Sequence, residues 1–261
     1  MDLLKIDLHN EKPLENIIDD EGFCGIFRSI GIIGDSLSSG AMQIVNNEGI
    51  NTYYDMYEYS WGQYMARKIG CRVENFSRGG MTSQCFCDSF GRESGAFYNR
   101  EKACQCYIIA LGVNDANSGL EIGSAKDICM ENCFSNKKTV AGYYGQIIQR
   151  IKSIQPDAKI FLVTVPKWEQ DTYSPYIWHD KFREVICEMA DMFKNTYVID
   201  LRQHAVTYDA KFRDMFFMEG HMNPAGYLLV SKLIMSYMDY IIRHNFTEFK
   251  KVALIGTPYL K

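Results

Sequence analysis

The chain has 261 residues, of which 47% are hydrophobic and 23% charged, and a formal net charge of −4. This composition is typical of a folded globular protein and excludes a largely disordered chain. No basic stripe is present, so we expect no nucleic-acid partner. The N-terminal stretch lacks the basic and apolar regions of a signal peptide, and no apolar run is long enough for a membrane span. We therefore expect a cytoplasmic protein.

Short apolar runs alternate with amphipathic segments of helical length along the chain. The predicted strands are Ser29–Gly34, Arg72–Phe76, Tyr107–Leu111, Lys159–Val165 and Tyr197–Leu201. Several are almost continuous in Ile, Val, Leu and Phe, as strands covered on both faces are. The predicted helices lie near Tyr57–Ile69, Val140–Ile154, Ile177–Phe193 and Ala225–Arg243. Asn223 and Pro224 supply the start of the last helix, which places His221 in the loop before it.

This alternation predicts βαβ units, a parallel sheet and an α/β fold with three α/β/α layers. No Pro/Gly/Ser-rich linker divides the chain, so we expect a single domain over residues 1–261. Its core would span about 28–243, with an N-terminal arm at 1–27 and a C-terminal tail at 246–261. The segment Ala116–Lys138 is predicted to be a long irregular excursion of the kind that often shapes a binding site.

Reactive side chains cluster where the predicted strands end. In a parallel sheet, ligands bind beyond the carboxyl ends of the strands. The segments at these positions are Gly34-Asp35-Ser36, Ser77-Arg78-Gly79-Gly80, Gly112-Val113-Asn114-Asp115 and, before the last helix, Gly220-His221-Met222-Asn223-Pro224. Together they bring a hydroxyl, a glycine pair, an amide and an imidazole to one edge of the sheet.

These groups suit acyl transfer. A serine becomes a good nucleophile when a base takes its proton, and histidine is the side chain whose pKa lies near neutrality. Glycine N–H groups and an Asn amide can stabilise the oxyanion that forms. Each residue also has an ordinary structural role: Ser36 could be a helix N-cap, Gly79-Gly80 a tight turn, Asn114 a loop brace and His221 a structural histidine.

Four segments resemble the SGNH hydrolases, also called GDSL esterases/lipases: "GDSLSSG", "NFSRGGMTS", "GVND" and "GHMNPAGY". The resemblance implies that Ser36 is the nucleophile and His221 the general base. It implies that Gly80 and Asn114 form the oxyanion hole together with the backbone N–H of Ser36. It also implies a flavodoxin-like five-stranded parallel sheet in the order 2-1-3-4-5, and no cofactor.

The acid of the family's Asp-x-x-His pattern is missing, because Met218 stands three residues before His221. The nearest carboxylates, Glu219 and Asp214, lie two and seven residues before His221, and neither has the expected spacing. Three interpretations stay open at this point. Glu219 could serve from a shifted loop, a backbone carbonyl could orient the imidazole in a Ser–His dyad, or the protein could be a non-catalytic ligand-binding member of the family.

Two other histidines are weaker candidates for the base. His204 follows Asp200 at the end of the fifth predicted strand, and His179 lies in an aromatic loop. The nine cysteines include the pairs Cys85-Phe-Cys87 and Cys104-Gln-Cys106. Their spacing is not the usual one of zinc sites, so we expect reduced thiols and no metal.

Aromatic residues near the predicted site indicate the substrate. One group lies between Trp168 and His179, and a second comprises Tyr53, Tyr54, Tyr57, Tyr59 and Trp61. Such rings can stack on sugars, although several are expected to pack between helices and sheet. We therefore expect a serine esterase that removes acetyl groups from carbohydrates, with a small-molecule or oligosaccharide ester as its substrate. A lipase, lysophospholipase or thioesterase for longer acyl chains is the alternative, and the oligomeric state stays open.

Overall fold

The computed structural model describes residues 10–169 and 176–260. Its strands are β1 (Ser29–Gly34), β2 (Ala41–Val45), β3 (Asn51–Asp55), β4 (Arg72–Ser77), β5 (Cys106–Ala110), β6 (Lys159–Val163), β7 (Thr196–Ile199), β8 (Phe217–Met218) and β9 (His221–Met222). Its α-helices are α1 (Ser36–Ser39), α2 (Trp61–Ile69), α3 (Ser83–Cys85), α4 (Gly91–Glu93), α5 (Val140–Ile154), α6 (Tyr176–Met192), α7 (Leu201–His204), α8 (Ala210–Phe216), α9 (Pro224–His244) and α10 (Phe246–Phe249). A π-helical stretch, Phe86–Phe90, joins α3 to α4.

The central sheet has five parallel strands in the order β4-β1-β5-β6-β7. Numbered along the chain, these strands are in the order 2-1-3-4-5, so the predicted sheet is confirmed. Gly34 at the end of β1 pairs with Ser77 of β4 and Ala110 of β5. These three strands therefore end level with one another, and the loops that follow them meet at one edge.

Helices cover both faces of the sheet, as the three-layer prediction requires. One apolar core lies between the sheet and the helices α2 and α9, and a second lies between the opposite face and α5 and α6. The bounds of α5 agree with the prediction. The helix predicted from Tyr57 begins at Trp61 instead, because the Ser60 side chain caps it by accepting a hydrogen bond from the Gln63 N–H.

The last sheet strand is shorter than predicted. The sequence predicts that it continues to Leu201, but β7 ends at Ile199 and Leu201 begins α7. The cause is Asp200, whose side chain accepts a hydrogen bond from the Gln203 N–H and so caps the new helix. Residues 116–138 form the expected irregular excursion, with short 3₁₀ turns at Asp115–Asn117, Ala125–Asp127 and Cys133–Ser135.

Two small antiparallel hairpins lie outside the predicted elements. The β2–β3 hairpin (Ala41–Asp55) follows α1 directly, and its turn is closed by the Asn46 side chain, which accepts hydrogen bonds from the Glu48 and Ile50 N–H groups. The β8–β9 hairpin carries His221, so the prediction of a loop at that residue is corrected to a two-residue strand. The strand β2 packs against β9, which brings the two hairpins together.

The segments that flank the core pack against it. The Glu11 carboxylate accepts hydrogen bonds from the Arg243 guanidinium, and the Arg243 Nε donates to Asp239, so the N-terminal segment is attached to α9. Phe249 of α10 packs on Phe161 of β6. Among the described residues no helix is both long and apolar enough to cross a membrane.

Candidate active site

The four residues predicted for the site line one cavity at the carboxyl edge of the sheet. This cavity has a volume of about 350 Å³. Its lining residues are Ser36, Gly80, Asn114 and His221, together with Ala41, Tyr53, Asp55 and Gly79. The fold therefore brings together four residues that are up to 185 positions apart along the chain.

Ser36 is the first residue of α1 and follows the buried end of β1. It does not cap this helix, because the side chain of Asp35 does so by accepting a hydrogen bond from the Leu37 N–H at 2.9 Å. The structural role that competed with a nucleophilic role for Ser36 thus belongs to its neighbour. Asp35 is 2% exposed, and burial raises the pKa of its carboxyl to about 7.

Gly80 lies in a tight turn after β4. The turn is closed by a hydrogen bond from the Met81 N–H to the Arg78 carbonyl, and Gly80 at its third position has a φ of +70°. Glycine adopts this left-handed conformation at little cost, whereas a residue with a side chain would be strained. The neighbouring Gly79 lies close to Ser36, because a Cβ at Gly79 would be 3.9 Å from the Cβ of Ser36.

Asn114 connects the loops after β1, β4 and β5. Its Nδ2 donates to the Met81 carbonyl at 3.2 Å and lies 3.4 Å from Oδ2 of Asp35. The second contact is long for an N–H···O hydrogen bond, so this N–H group is held weakly. Asp115, the next residue, is fully buried and accepts hydrogen bonds from the backbone and the hydroxyl of Ser83. Burial raises the pKa of Asp115.

His221 lies half-buried on β9, with its ring edge-on to Tyr53 at a centroid distance of 5.6 Å. Burial lowers the pKa of His221 below its ordinary value of 6.5, and the negative charge of Asp55 acts in the opposite direction. The ring Nδ1 is 3.3 Å from Oε1 of Gln43. The side chain beside this nitrogen is therefore a neutral amide of the β2–β3 hairpin.

Neither Glu219 nor Asp214 takes this position. Met218 is paired with His221 across the β8–β9 hairpin, Glu219 is exposed with a φ of +54°, and Asp214 is exposed on α8. Gln43 is far from His221 along the chain, so the carboxylate spacing around His221 does not reveal it. A signal was available in the Asn46–Gly49 turn residues between two runs of five residues, which are typical of a hairpin.

The other candidate groups lie elsewhere in the fold. His204 packs against Tyr237 and lines a separate surface cavity, while His179 is buried on α6 beside Trp178. All nine cysteines are free thiols. Over residues 10–169 and 176–260, no three His, Cys, Asp or Glu side chains are grouped closely enough to hold a metal ion.

The aromatic residues divide between packing and the site. Trp168 packs edge-on against Tyr208 and Phe217, and Trp61 is 2% exposed within the core. Tyr53 is 61% exposed and lines the cavity, so it is free to contact a ligand. Residues 170–175 of the predicted aromatic loop lie outside the described residues.

A second, apolar cavity is lined in part by Leu37 and Ser38 of α1. Its volume is about 70 Å³, and its walls include Leu37, Val113, Val165 and Met222. The hydroxyl of Ser38, which is also part of this lining, is buried without a hydrogen-bond partner.

Comparison with known families identifies the class of protein. The family model of the GDSL-like Lipase/Acylhydrolase family matches residues 32–229, which include all four predicted site residues. The chain belongs to this family. This GDSL-type chain is accordingly a hydrolytic enzyme of the SGNH type. A search of curated proteins finds no match.

Solved structures of other proteins have the same fold as this GDSL-family chain. One, described as a possible lipase from Chitinophaga pinensis DSM 2588, has 16% identity and a TM-score of 0.56, over 83% of this chain and 98% of that one. A family two carbohydrate esterase from Clostridium thermocellum, solved with cellohexaose, has 15% identity and a TM-score of 0.54, over 91% of this chain and 66% of that one. A carbohydrate esterase family 2 enzyme from Corynascus thermopiles (Myceliophthora fergusii) has 15% identity and a TM-score of 0.57, over 82% and 66%. At these identities the similarity concerns the fold alone.

Proposed function

We propose that this GDSL-family enzyme is a serine esterase that forms an acyl-enzyme on Ser36. The observation that supports this proposal is the cavity shared by Ser36, Gly80, Asn114 and His221. A nucleophile, a base and oxyanion donors around one cavity are the groups that ester hydrolysis needs.

In the proposed reaction, His221 takes the proton of the Ser36 hydroxyl while Oγ attacks the ester carbonyl carbon. The N–H groups of Ser36 and Gly80, together with the weakly held N–H of Asn114, donate to the resulting oxyanion. The tetrahedral intermediate then expels the alcohol, which leaves with the proton from His221. A water molecule, deprotonated by His221, attacks the acyl-enzyme in the same way and releases the acid and free Ser36.

We further propose that the substrates are acetyl esters of carbohydrates. The exposed ring of Tyr53 at the mouth of the cavity offers a face for a sugar, and the cavity itself mixes polar and aromatic residues. The similarity of the fold to two carbohydrate esterases is consistent with this substrate class.

The test is hydrolysis of p-nitrophenyl acetate and of an acetylated xylo-oligosaccharide by the purified protein, with acetate release followed by NMR. We expect turnover of both, and a loss of about 10⁴-fold or more in kcat for Ser36→Ala. The matched control is Ser135→Ala, an exposed serine outside the cavity, which we expect to retain wild-type activity. Equal rates for Ser36→Ala and the wild type would refute the serine mechanism.

A second candidate is an esterase for longer acyl chains, because the lining of the apolar cavity beside α1 includes Asp35 and Leu37, the two neighbours of Ser36 along the chain. A series of p-nitrophenyl esters from acetate to octanoate separates the two candidates. Carbohydrate deacetylation predicts that kcat/KM is highest for acetate and falls with chain length. The second candidate predicts that kcat/KM increases towards octanoate.

A further inference from the structure

We propose that Gln43 of the β2–β3 hairpin is the positioning residue that orients the His221 imidazole, in the place where a catalytic triad has an acid. This inference rests on the proposed function, because it assigns the third member of the same site. It replaces both Glu219 and a backbone carbonyl as the partner of His221 Nδ1.

The first step of the argument concerns which atom of the amide faces the imidazole. Oε1 of Gln43 accepts a hydrogen bond from the Gly220 N–H at 3.1 Å and also lies 3.3 Å from Nδ1 of His221. An N–H group can only donate, so the amide atom opposite Gly220 is an oxygen. This oxygen has a second lone pair, and it too can only accept.

The second step concerns the histidine. Because Oε1 can only accept, Nδ1 of His221 must carry the hydrogen in this contact. The neutral ring then has its lone pair on Nε2, which is the tautomer that a general base for Ser36 requires. The Gln43 amide therefore selects the catalytic tautomer without a negative charge.

The third step is that the surroundings hold the amide in place. Gln43 is 8% exposed and pairs across the hairpin with Tyr53, whose ring packs edge-on against the imidazole. A Cβ at Gly220 would lie only 2.5 Å from Oε1 of Gln43, so glycine at that position allows the close approach. The hairpin thus fixes the imidazole through an acceptor and through a ring contact.

Charged groups near His221 do not take over this role. Asp55 lines the same cavity, but its Oδ1 accepts a hydrogen bond from the Ser39 hydroxyl at 3.1 Å and the side chain is exposed. Glu219 is exposed on the tip of the β8–β9 hairpin. A neutral amide stabilises the imidazolium less than a carboxylate does, so we expect a base that works with a pKa below that of a triad histidine.

The experiment compares three variants of the whole protein. Gln43→Met removes the acceptor at similar length, Gln43→Glu keeps an acceptor and adds a charge, and Gly220→Ala displaces the amide without removing it. Tyr54→Phe is the matched control, because Tyr54 lies on the same hairpin and is 51% exposed. The readouts are kcat and KM for p-nitrophenyl acetate between pH 5 and 9, and the ¹⁵N shifts of the His221 ring, assigned with His221→Ala.

We expect Gln43→Met and Gly220→Ala to lose about 10- to 100-fold in kcat with little change in KM, since they impair general-base catalysis rather than binding. The Nδ1–H tautomer should dominate in the wild type and give way to a mixture in Gln43→Met. Gln43→Glu should retain that tautomer, and an opposite charge beside the ring should move the acid limb of its pH profile upward by about one pH unit.

Two results would overturn the proposal: a wild-type imidazole with its hydrogen on Nε2, or an acid limb that does not move in Gln43→Glu. The ring shifts and their titration do not require turnover. If the wild type shows no hydrolysis but the Nδ1–H tautomer and its dependence on Gln43 are observed, then the esterase function fails while the positioning role stands.

Discussion

The hydroxyl of Tyr144 supports the loop that carries Asn114, and Tyr144→Phe should destabilise the protein. Tyr144 is fully buried, and its hydroxyl donates to the Leu111 carbonyl at 2.8 Å and accepts from the Leu111 N–H at 3.1 Å. Removal of this oxygen leaves two buried backbone groups without partners. Each such group costs about 1–3 kcal/mol, so the free energy of unfolding should fall by about 2–6 kcal/mol.

The assay is urea unfolding followed by tryptophan fluorescence, with Tyr54→Phe as control. The Tyr54 side chain is 51% exposed, so its variant should lie within about 0.5 kcal/mol of the wild type. Because Leu111 is three residues before Asn114, Tyr144→Phe should also lower kcat more than it raises KM. A loss of stability below about 0.5 kcal/mol would refute the reasoning, since it would mean that water or a backbone shift satisfies both groups.

Three further predictions concern charge and thiols. Asp55 raises the pKa of His221 against the lowering effect of burial, so Asp55→Asn should move the acid limb of kcat/KM to lower pH, and an upward move would contradict this. Burial raises the pKa of Asp35 from 3.8 to about 7, so the free energy of unfolding should fall as pH rises from about 4 to 7, by up to about 4 kcal/mol. Asp35→Asn, which keeps a capping oxygen, should flatten this dependence in pH-series urea titrations, and an unchanged slope would argue against it. The exposed thiol of Cys85 should react with a thiol-reactive chromophore in the native protein. The buried thiols should react only on unfolding, and their early reaction would contradict the fold. The buried thiols are Cys24, Cys87, Cys104 and Cys106.

The sheet could be predicted because the sequence pattern of each strand lies within a few consecutive residues. Most of the sheet strands are nearly continuous apolar runs, although the edge strand β4 is more polar, and the regular alternation with helices predicts a parallel arrangement. The predicted ends of strands and helices are less accurate where a single capping side chain determines them. Asp200 caps α7, so β7 ends two residues before the predicted strand end. Ser60 caps α2, so this helix begins later than predicted. Such caps depend on one hydrogen bond, which periodicity does not record.

The site could be predicted only for the residues that follow core strands or precede a capped helix. Ser36, Gly80, Asn114 and His221 occupy such positions, and the structure brings them to one cavity. Gln43 is 178 residues from His221 along the chain, and their contact depends on the packing of two hairpins. Strands of two to five residues carry too weak a pattern for this packing to be inferred from the sequence.

The most direct test of the central claim is covalent labelling of Ser36. The protein is incubated with a fluorophosphonate at neutral pH, and intact mass is followed by mapping of the modified peptide. We predict one adduct per chain on Ser36, none in Ser36→Ala, and labelling slowed about 10²-fold or more in His221→Ala, because the hydroxyl then has no base. An unlabelled wild-type protein, or an adduct on another residue, would contradict the assignment of Ser36 as the nucleophile.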